Sequence, residues 1–349
     1  MIPLHINQRN TMPIATTTEP TTSQHTRSRT TTQPTNTPTT QLERNAANRL
    51  RTTMAAVRLA FTWLGVRKTL ALEQRTTAAR AFHADRELLS ASKLILDTKN
   101  PAYRAVAAVR SEASSYWRTV TLPFPEAGIR LLPQSSLSTF ASAMQTYRER
   151  LQEAARELAA QYDTIKSEAQ RRLGTLFNAS DYPSTLDGLF DLEVSYPTIE
   201  PPNYLMALHP DVYQQEQARV RERFESAVEL AEQAFATELQ RLTAHLAERL
   251  TGLHDGQPKV FRDSAVENLR DFFEQFRRLN IRSSPELDAL VEQAQQTING
   301  VEPQTLRDSN RLRQMVARDF EQIQARVGDL LVDRPRRNIL RRGQMGAGV

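Results

Sequence analysis

The chain has 349 residues, no cysteine and a formal net charge of +5. Without cysteine there are no disulfides, no thiolate metal sites and no thiol nucleophile, which fits a reducing compartment. The charge is divided: residues 1–132 carry +10, residues 133–330 carry −9 and residues 331–349 carry +4. Basic ends flanking an acidic body point to charge-guided contact, with nucleic acid or between the ends and the middle.

Residues 1–41 are predicted to form a disordered arm. Thr fills 14 of the first 40 positions, and Pro3, Pro13, Pro20, Pro34 and Pro38 fall there too. Such a segment buries too little apolar surface to offset its ordering entropy. No secretory signal is expected, because Met1-Ile2-Pro3-Leu4-His5 leads into no apolar run. The most apolar stretch, Met54 to Val66, has 13 residues and is interrupted by Arg58. That is too short to span a bilayer, so a buried helix and no membrane association are expected.

A helical domain is predicted over residues 42–331. Leu50, Met54, Val57, Phe61 and Leu64 recur at helical spacing, so residues 41–64 read as helix. Gly65 interrupts, and helix resumes over 66–89. Asp97-Thr98-Lys99-Asn100-Pro101 closes a turn region at 90–99, and a further helix runs over 102–116. Thr119-Val120-Thr121-Leu122 and Ile129-Arg130-Leu131-Leu132, joined through Pro123 to Gly128, read as a small β-hairpin.

Two long helices follow. The first, about 136–173, carries Phe140, Met144, Tyr147, Leu151, Ala154, Leu158, Tyr162, Ile165, Ala169 and Leu173 at alternating spacings of three and four, a heptad-like seam about 55 Å long. Gly174 suits its end. The second, about 210–253, opens at Pro210 and carries Val220, Phe224, Ala227, Ala231, Phe235, Leu239, Leu242, Leu246, Leu250 and Leu253. Helices with such a connection most simply fold back as an antiparallel coiled-coil-like hairpin. The proline-rich connection, 174–209, then forms a mixed tip insert in which Leu192-Glu193-Val194 is a candidate strand. Shorter helices over 262–279, 284–298 and 303–331 form the base, with Ser284-Pro285 as a capped start. Residues 332–349 form a basic disordered tail. The predicted fold class is all-α with minor β.

Chemistry has little raw material here. Among the six histidines, His83-Ala84-Asp85 comes nearest to a metal pair, and no His-Glu-x-x-His occurs. Glu149, Glu153 and Glu157 interleave with Arg148, Arg150 and Arg156 as a solvated helix face. No phosphate-cradling glycine loop is present. No catalytic residue, cofactor or metal is expected.

Two contact sets remain. The tip offers Tyr182, Phe190, Tyr196 and Tyr204 as aromatic anchors for a protein partner or for self-association. Arg44, Arg49, Arg51, Arg58, Arg67 and Lys68, with Arg336, Arg337, Arg341 and Arg342 in the tail, could grip nucleic-acid phosphates without reading sequence.

Several short motifs carry a resemblance. They are Thr121-Leu122-Pro123 with Arg130-Leu131-Leu132-Pro133, Arg172-Leu173-Gly174 with Asp181-Tyr182-Pro183-Ser184, Phe190 to Val194, Phe261-Arg262-Asp263-Ser264, Glu267-Asn268-Leu269 and Leu279-Asn280-Ile281. Over about residues 75–330 the chain resembles a family of uncharacterised long-helical proteins encoded by bacteriophages and prophages. The family brings no assigned activity. The resemblance implies a viral or mobile-element origin and a role in the host cytoplasm. The expectation is a non-enzymatic interaction or assembly component, with sequence-independent nucleic-acid binding as the alternative.

Overall fold

The computed structural model describes residues 38–251, 253–254, 257–258 and 263–332. The Thr-rich arm up to residue 37 and the basic tail from residue 333, with Arg336, Arg337, Arg341 and Arg342, lie outside the described residues. The fold is mostly helical around a small antiparallel sheet.

Helix α1 (Pro38–Thr53) starts within the predicted arm, so residues 38–41 are helical. It leads into β1 (Met54–Trp63), a ten-residue strand where the spacing predicts helix through Leu64. Val57, Leu59, Phe61 and Trp63 alternate with Arg58, Ala60 and Thr62, a period of two that shares Val57 and Phe61 with the helical reading. Branched and aromatic side chains suit a pleated surface, and β1 has a hydrogen-bonded strand on each side. That pairing decides the conformation.

Next comes a projecting arm: β2 (Arg67–Thr69), α2 (Leu72–Ala81) and β3 (Ser92–Leu94), with β2 and β3 paired antiparallel. The helix predicted over 66–89 is therefore confined to α2. It stops before His83, whose φ of 51° is left-handed. The Asp85 carboxylate then accepts from the Glu87 N–H at 2.9 Å and closes a 3₁₀ turn.

Helix α3 (Pro101–Val120) is capped by the Asn100 side chain, which accepts from the Ala102 and Tyr103 N–H groups at 2.9 and 3.3 Å. The predicted hairpin is present as β4 (Leu122–Pro123) and β5 (Ile129–Pro133), with Thr119 and Val120 still in α3. The first long helix is two, α4 (Leu137–Ala160) and α5 (Tyr162–Leu173), broken at Gln161. Gly174, at φ 52°, ends it as the sequence predicts. Strand β6 (Phe190–Ser195) and the single turn α6 (Tyr204–Leu208) follow, then α7 (Pro210–Thr251), about 63 Å long. A short pair, β7 (Leu253–His254) and β8 (Gln257–Pro258), leads to α8 (Ser264–Leu279) and α9 (Pro285–Ile298). The Ser284 hydroxyl caps α9 by accepting from the Leu287 N–H at 3.3 Å. The last predicted helix divides into α10 (Pro303–Asp308) and α11 (Asn310–Val332), where the Ser309 hydroxyl accepts from the Leu312 N–H.

The main sheet has the order β4-β5-β1-β6, antiparallel throughout. It separates two apolar cores. Val57, Leu132, Phe190 and Leu192 face one core with Phe140, Met144, Leu151 and Leu158 of α4. Ala56, Leu122, Ile129 and Leu131 face the other, with α1, α7, α8, α9 and α11. Leu131 and Leu132 are adjacent, point to opposite faces and are both fully buried, as in a sheet covered on both sides.

This arrangement replaces the predicted hairpin of long helices. α4 packs against α3 and β6, whereas α7 packs against α11, α1 and α8. A heptad-like seam requires that a helix cover one stripe but does not name what covers it. Here the sheet and several shorter helices do.

Candidate functional site

The connection between α5 and α7 divides in two. In its first part Tyr182 and Phe190, expected as contact anchors, are core residues, 6% and 3% exposed. Tyr182 stacks on Phe177 with ring centroids 5.1 Å apart. The Phe190 ring meets Trp63 edge-on at 5.0 Å, and Arg110 lies over the Trp63 ring at 4.6 Å. Phe190 is withdrawn because β6 joins the sheet, with Phe190 opposite Trp63 and Leu192 opposite Phe61, whereas Tyr182 precedes β6 and is buried against Phe177 where the Tyr162 hydroxyl donates to the Pro183 carbonyl.

The second part is exposed. Tyr196 and Tyr204 are 48% and 62% exposed, as expected of contact candidates, and Met206, Leu208 and Val212 beside them are 58%, 67% and 43% exposed. The last three were missed by the sequence reading. Their signal was there: Tyr204-Leu205-Met206-Ala207-Leu208 between Pro202 and Pro210 is too short a helix to bury so many apolar side chains.

The chain leading to this ridge is fixed. The Arg51 guanidinium makes two hydrogen bonds to the Glu200 carboxylate, both at 2.6 Å; this hydrogen bonding holds the Arg51 pKa above its ordinary value. Pro201 is buried, and Ile199 packs on the core around α7. The Leu205 N–H bonds to the Pro202 carbonyl at 3.1 Å, and the His209 N–H closes α6 on the Leu205 carbonyl at 2.8 Å. The ridge is thus Tyr204, Met206 and Leu208 on an anchored turn, with Tyr196 before it and Val212 after it in α7.

Residues 174–209 hold five carboxylates and no Lys or Arg. Asp181 pairs with Lys93 at 2.6 Å, Asp191 with Arg148 at 2.9 Å and Glu200 with Arg51. The Arg148 hydrogen bonds hold the Asp191 carboxyl below the usual carboxylate range. Asp187 and Glu193 are exposed, as is Asp211 at the start of α7. The connection therefore contributes only acidic side chains, three of them matched by cations from elsewhere in the fold.

The predicted phosphate-binding arginines do not form one face. Arg44 is exposed on α1. Arg49 donates to the Ile281 and Arg282 carbonyls, and Arg51 is held by Glu200. Arg58 lies on β1, 3.7 Å from Glu126. Arg67 and Lys68 are exposed on β2, in the projecting arm.

A cleft of about 520 Å³ opens between β3, the start of α3 and α5. Ile95 and Ile165 lie in its lining, which also holds the Asp97–Arg172 ion pair at 2.5 Å. The Arg172 hydrogen bond holds the Asp97 carboxyl below its ordinary range.

Among the described residues no three His, Cys, Asp or Glu side chains converge as a metal site, and no helix is long and apolar enough to cross a membrane. No protein-family model, curated protein or solved structure matches the chain.

Proposed function

We propose that this chain is a non-enzymatic, phage-encoded interaction or assembly component that engages a protein partner through the ridge of Tyr196, Tyr204, Met206, Leu208 and Val212. One observation carries the reading: Tyr204, Met206 and Leu208, 58–67% exposed, share the anchored turn α6, and Tyr196 and Val212, 48% and 43% exposed, lie on the chain before and after it. Contiguous exposed apolar surface rimmed by charge marks contact surfaces, and aromatic anchors supply much of their binding energy. The carboxylates of the insert select a partner with a basic, apolar surface. The resemblance to phage and prophage proteins supports action in the host cytoplasm.

The test is affinity capture of the tagged chain from host cells, with and without nuclease, for the wild type and for Tyr204→Asp combined with Leu208→Asp. A stoichiometric protein that survives nuclease and is lost with the double variant is the expected result. Recovery of nuclease-sensitive material that falls away steeply with salt and is indifferent to the ridge substitutions would overturn it. That outcome would move attention to the arginines.

A further inference from the structure

The projecting arm lacks a core of its own. From residue 67 to residue 92 Ala79 alone is buried. A ten-residue helix and two three-residue strands make too small a unit to be stable by themselves. Leu72, Phe82 and Leu88 are 54%, 77% and 88% exposed. The base of the arm is nevertheless firm. The Ile95 N–H bonds to the Val66 carbonyl at 2.9 Å. The buried Lys93 ammonium donates to the Leu176 carbonyl at 2.6 Å and pairs with Asp181. A fixed base thus presents an apolar end.

Charge distinguishes this end from the ridge. Residues 67–92 carry Arg67, Lys68, Arg75, Arg80 and Arg86 against Glu73, Asp85 and Glu87. None of the five cations pairs with a carboxylate among the described residues. The ridge has the opposite character: Asp211 is exposed where α7 begins just after it, Arg51 is already paired with Glu200, and no Lys or Arg lies between residues 174 and 209. One chain therefore exposes a basic apolar projection and an acidic apolar ridge.

We infer that the arm of one copy docks on the ridge of a second copy of this chain. This rests on the ridge being a docking surface and names its occupant. Phe82 and Leu88 leave water against Tyr204, Met206 and Leu208, while the guanidinium groups of the arm meet the carboxylates of the insert. The contact joins two different patches, so it repeats from copy to copy and closes as a reciprocal pair or a ring.

The test is complementation between two defective variants, read by sedimentation velocity. One variant carries Phe82→Asp and Leu88→Asp, the other Tyr204→Asp and Leu208→Asp. All four sites are exposed, and circular dichroism checks that both variants fold. The wild type is expected to self-associate with concentration, and each variant alone to sediment as a monomer. An equimolar mixture should form a one-to-one complex, since one intact arm and one intact ridge remain. A wild type that stays monomeric at roughly 100 μM, a concentration that populates even weak complexes, would overturn the inference. So would a mixture that fails to associate. If the chain is monomeric yet the ridge variant loses a captured host protein, self-docking fails and the proposed function stands. If the arm variant instead loses binding to vesicles of anionic lipid while the wild type is monomeric, the arm meets a membrane surface and self-docking fails.

Discussion

Tyr182 and Tyr204 lie on the same connection between α5 and α7, yet one is 6% exposed and the other 62%. What separates them is the core between the sheet and α4, which holds Tyr182. Up to Ser195 the connection supplies β6, whose alternate residues enter the core between the sheet and α4. Beyond Ser195 the chain leaves the sheet; Ile199 and Pro201 still turn inward, and α6 lies against α7 with Tyr204, Met206 and Leu208 exposed. An aromatic residue in an irregular segment is thus core or contact surface according to whether its part of the chain lies against an apolar core. The first part of the connection holds the fold, and the second is free to bind.

The largest effect should come from breaking the first part. Phe190→Ala removes a ring packed on Trp63 and should cost about 3–5 kcal/mol in urea denaturation. Deleting residues 190–195 should abolish folding, because β6 is hydrogen-bonded along the outer half of β1. A variant lacking the strand that still unfolds cooperatively would show that the connection is surface throughout.

Lys93→Ala comes next. It leaves Asp181 without its cation in a pair whose side chains are 6% and 20% exposed, and should cost about 3 kcal/mol. Hydrogen exchange should then quicken over residues 67–94, since the same ammonium ties the arm to the Leu176 carbonyl. Unchanged exchange there would mean that the β2–β3 pairing alone fixes the arm.

Much of this was legible in the residues. The break at Asp97 to Pro101, Ser284 as a cap, Gly174 as a terminator, the hairpin after α3 and the Leu192-Glu193-Val194 strand all follow from local chemistry that tertiary contacts leave intact. What misled was non-local. The Met54–Leu64 ladder fits two periods, and only strands more than 60 residues away select the strand. The seams on α4 and α7 predict apolar stripes correctly, but their partners are set by a sheet assembled from distant segments. The contact surface was half visible, because Tyr196 and Tyr204 were picked as aromatic anchors whereas Met206, Leu208 and Val212 were not. Nothing local separates Tyr182 from Tyr204, because Tyr182 is buried by packing on Phe177 and the core around α4, set by segments distant in sequence.

A smaller effect is expected at the anchor of the ridge. Arg51→Ala removes a paired hydrogen bond to Glu200, but the side chains are 27% and 43% exposed. The cost should be roughly 0.5–1 kcal/mol, with weaker partner binding because the turn is less fixed. Arg148→Ala should lower stability only slightly, as the pair with Asp191 is part-exposed and screened by solvent. It should show chiefly in the titration of Asp191. The folded carboxyl lies below its unfolded value, so its contribution is present above the ordinary carboxylate range and is lost as pH falls through the lowered value. In the variant the Asp191 carbon resonance should titrate closer to the ordinary range. An unmoved titration would assign the shift to the Leu192 backbone N–H.

The smallest effect on stability should accompany the largest on binding. Tyr204→Asp with Leu208→Asp replaces side chains that are already 62% and 67% exposed. Little apolar burial is lost on folding, so the change should stay within about 0.5 kcal/mol. Association should be lost, because two large apolar contact side chains are replaced by short, hydrated carboxylates that bury little apolar area and must shed water in the contact. Phe190→Ala should do the reverse under conditions where the variant remains folded, since its ring lies inside and touches no partner. If instead both variants lose stability and binding together, the ridge and β6 belong to one cooperative surface, and the division drawn between the two parts of the connection is wrong.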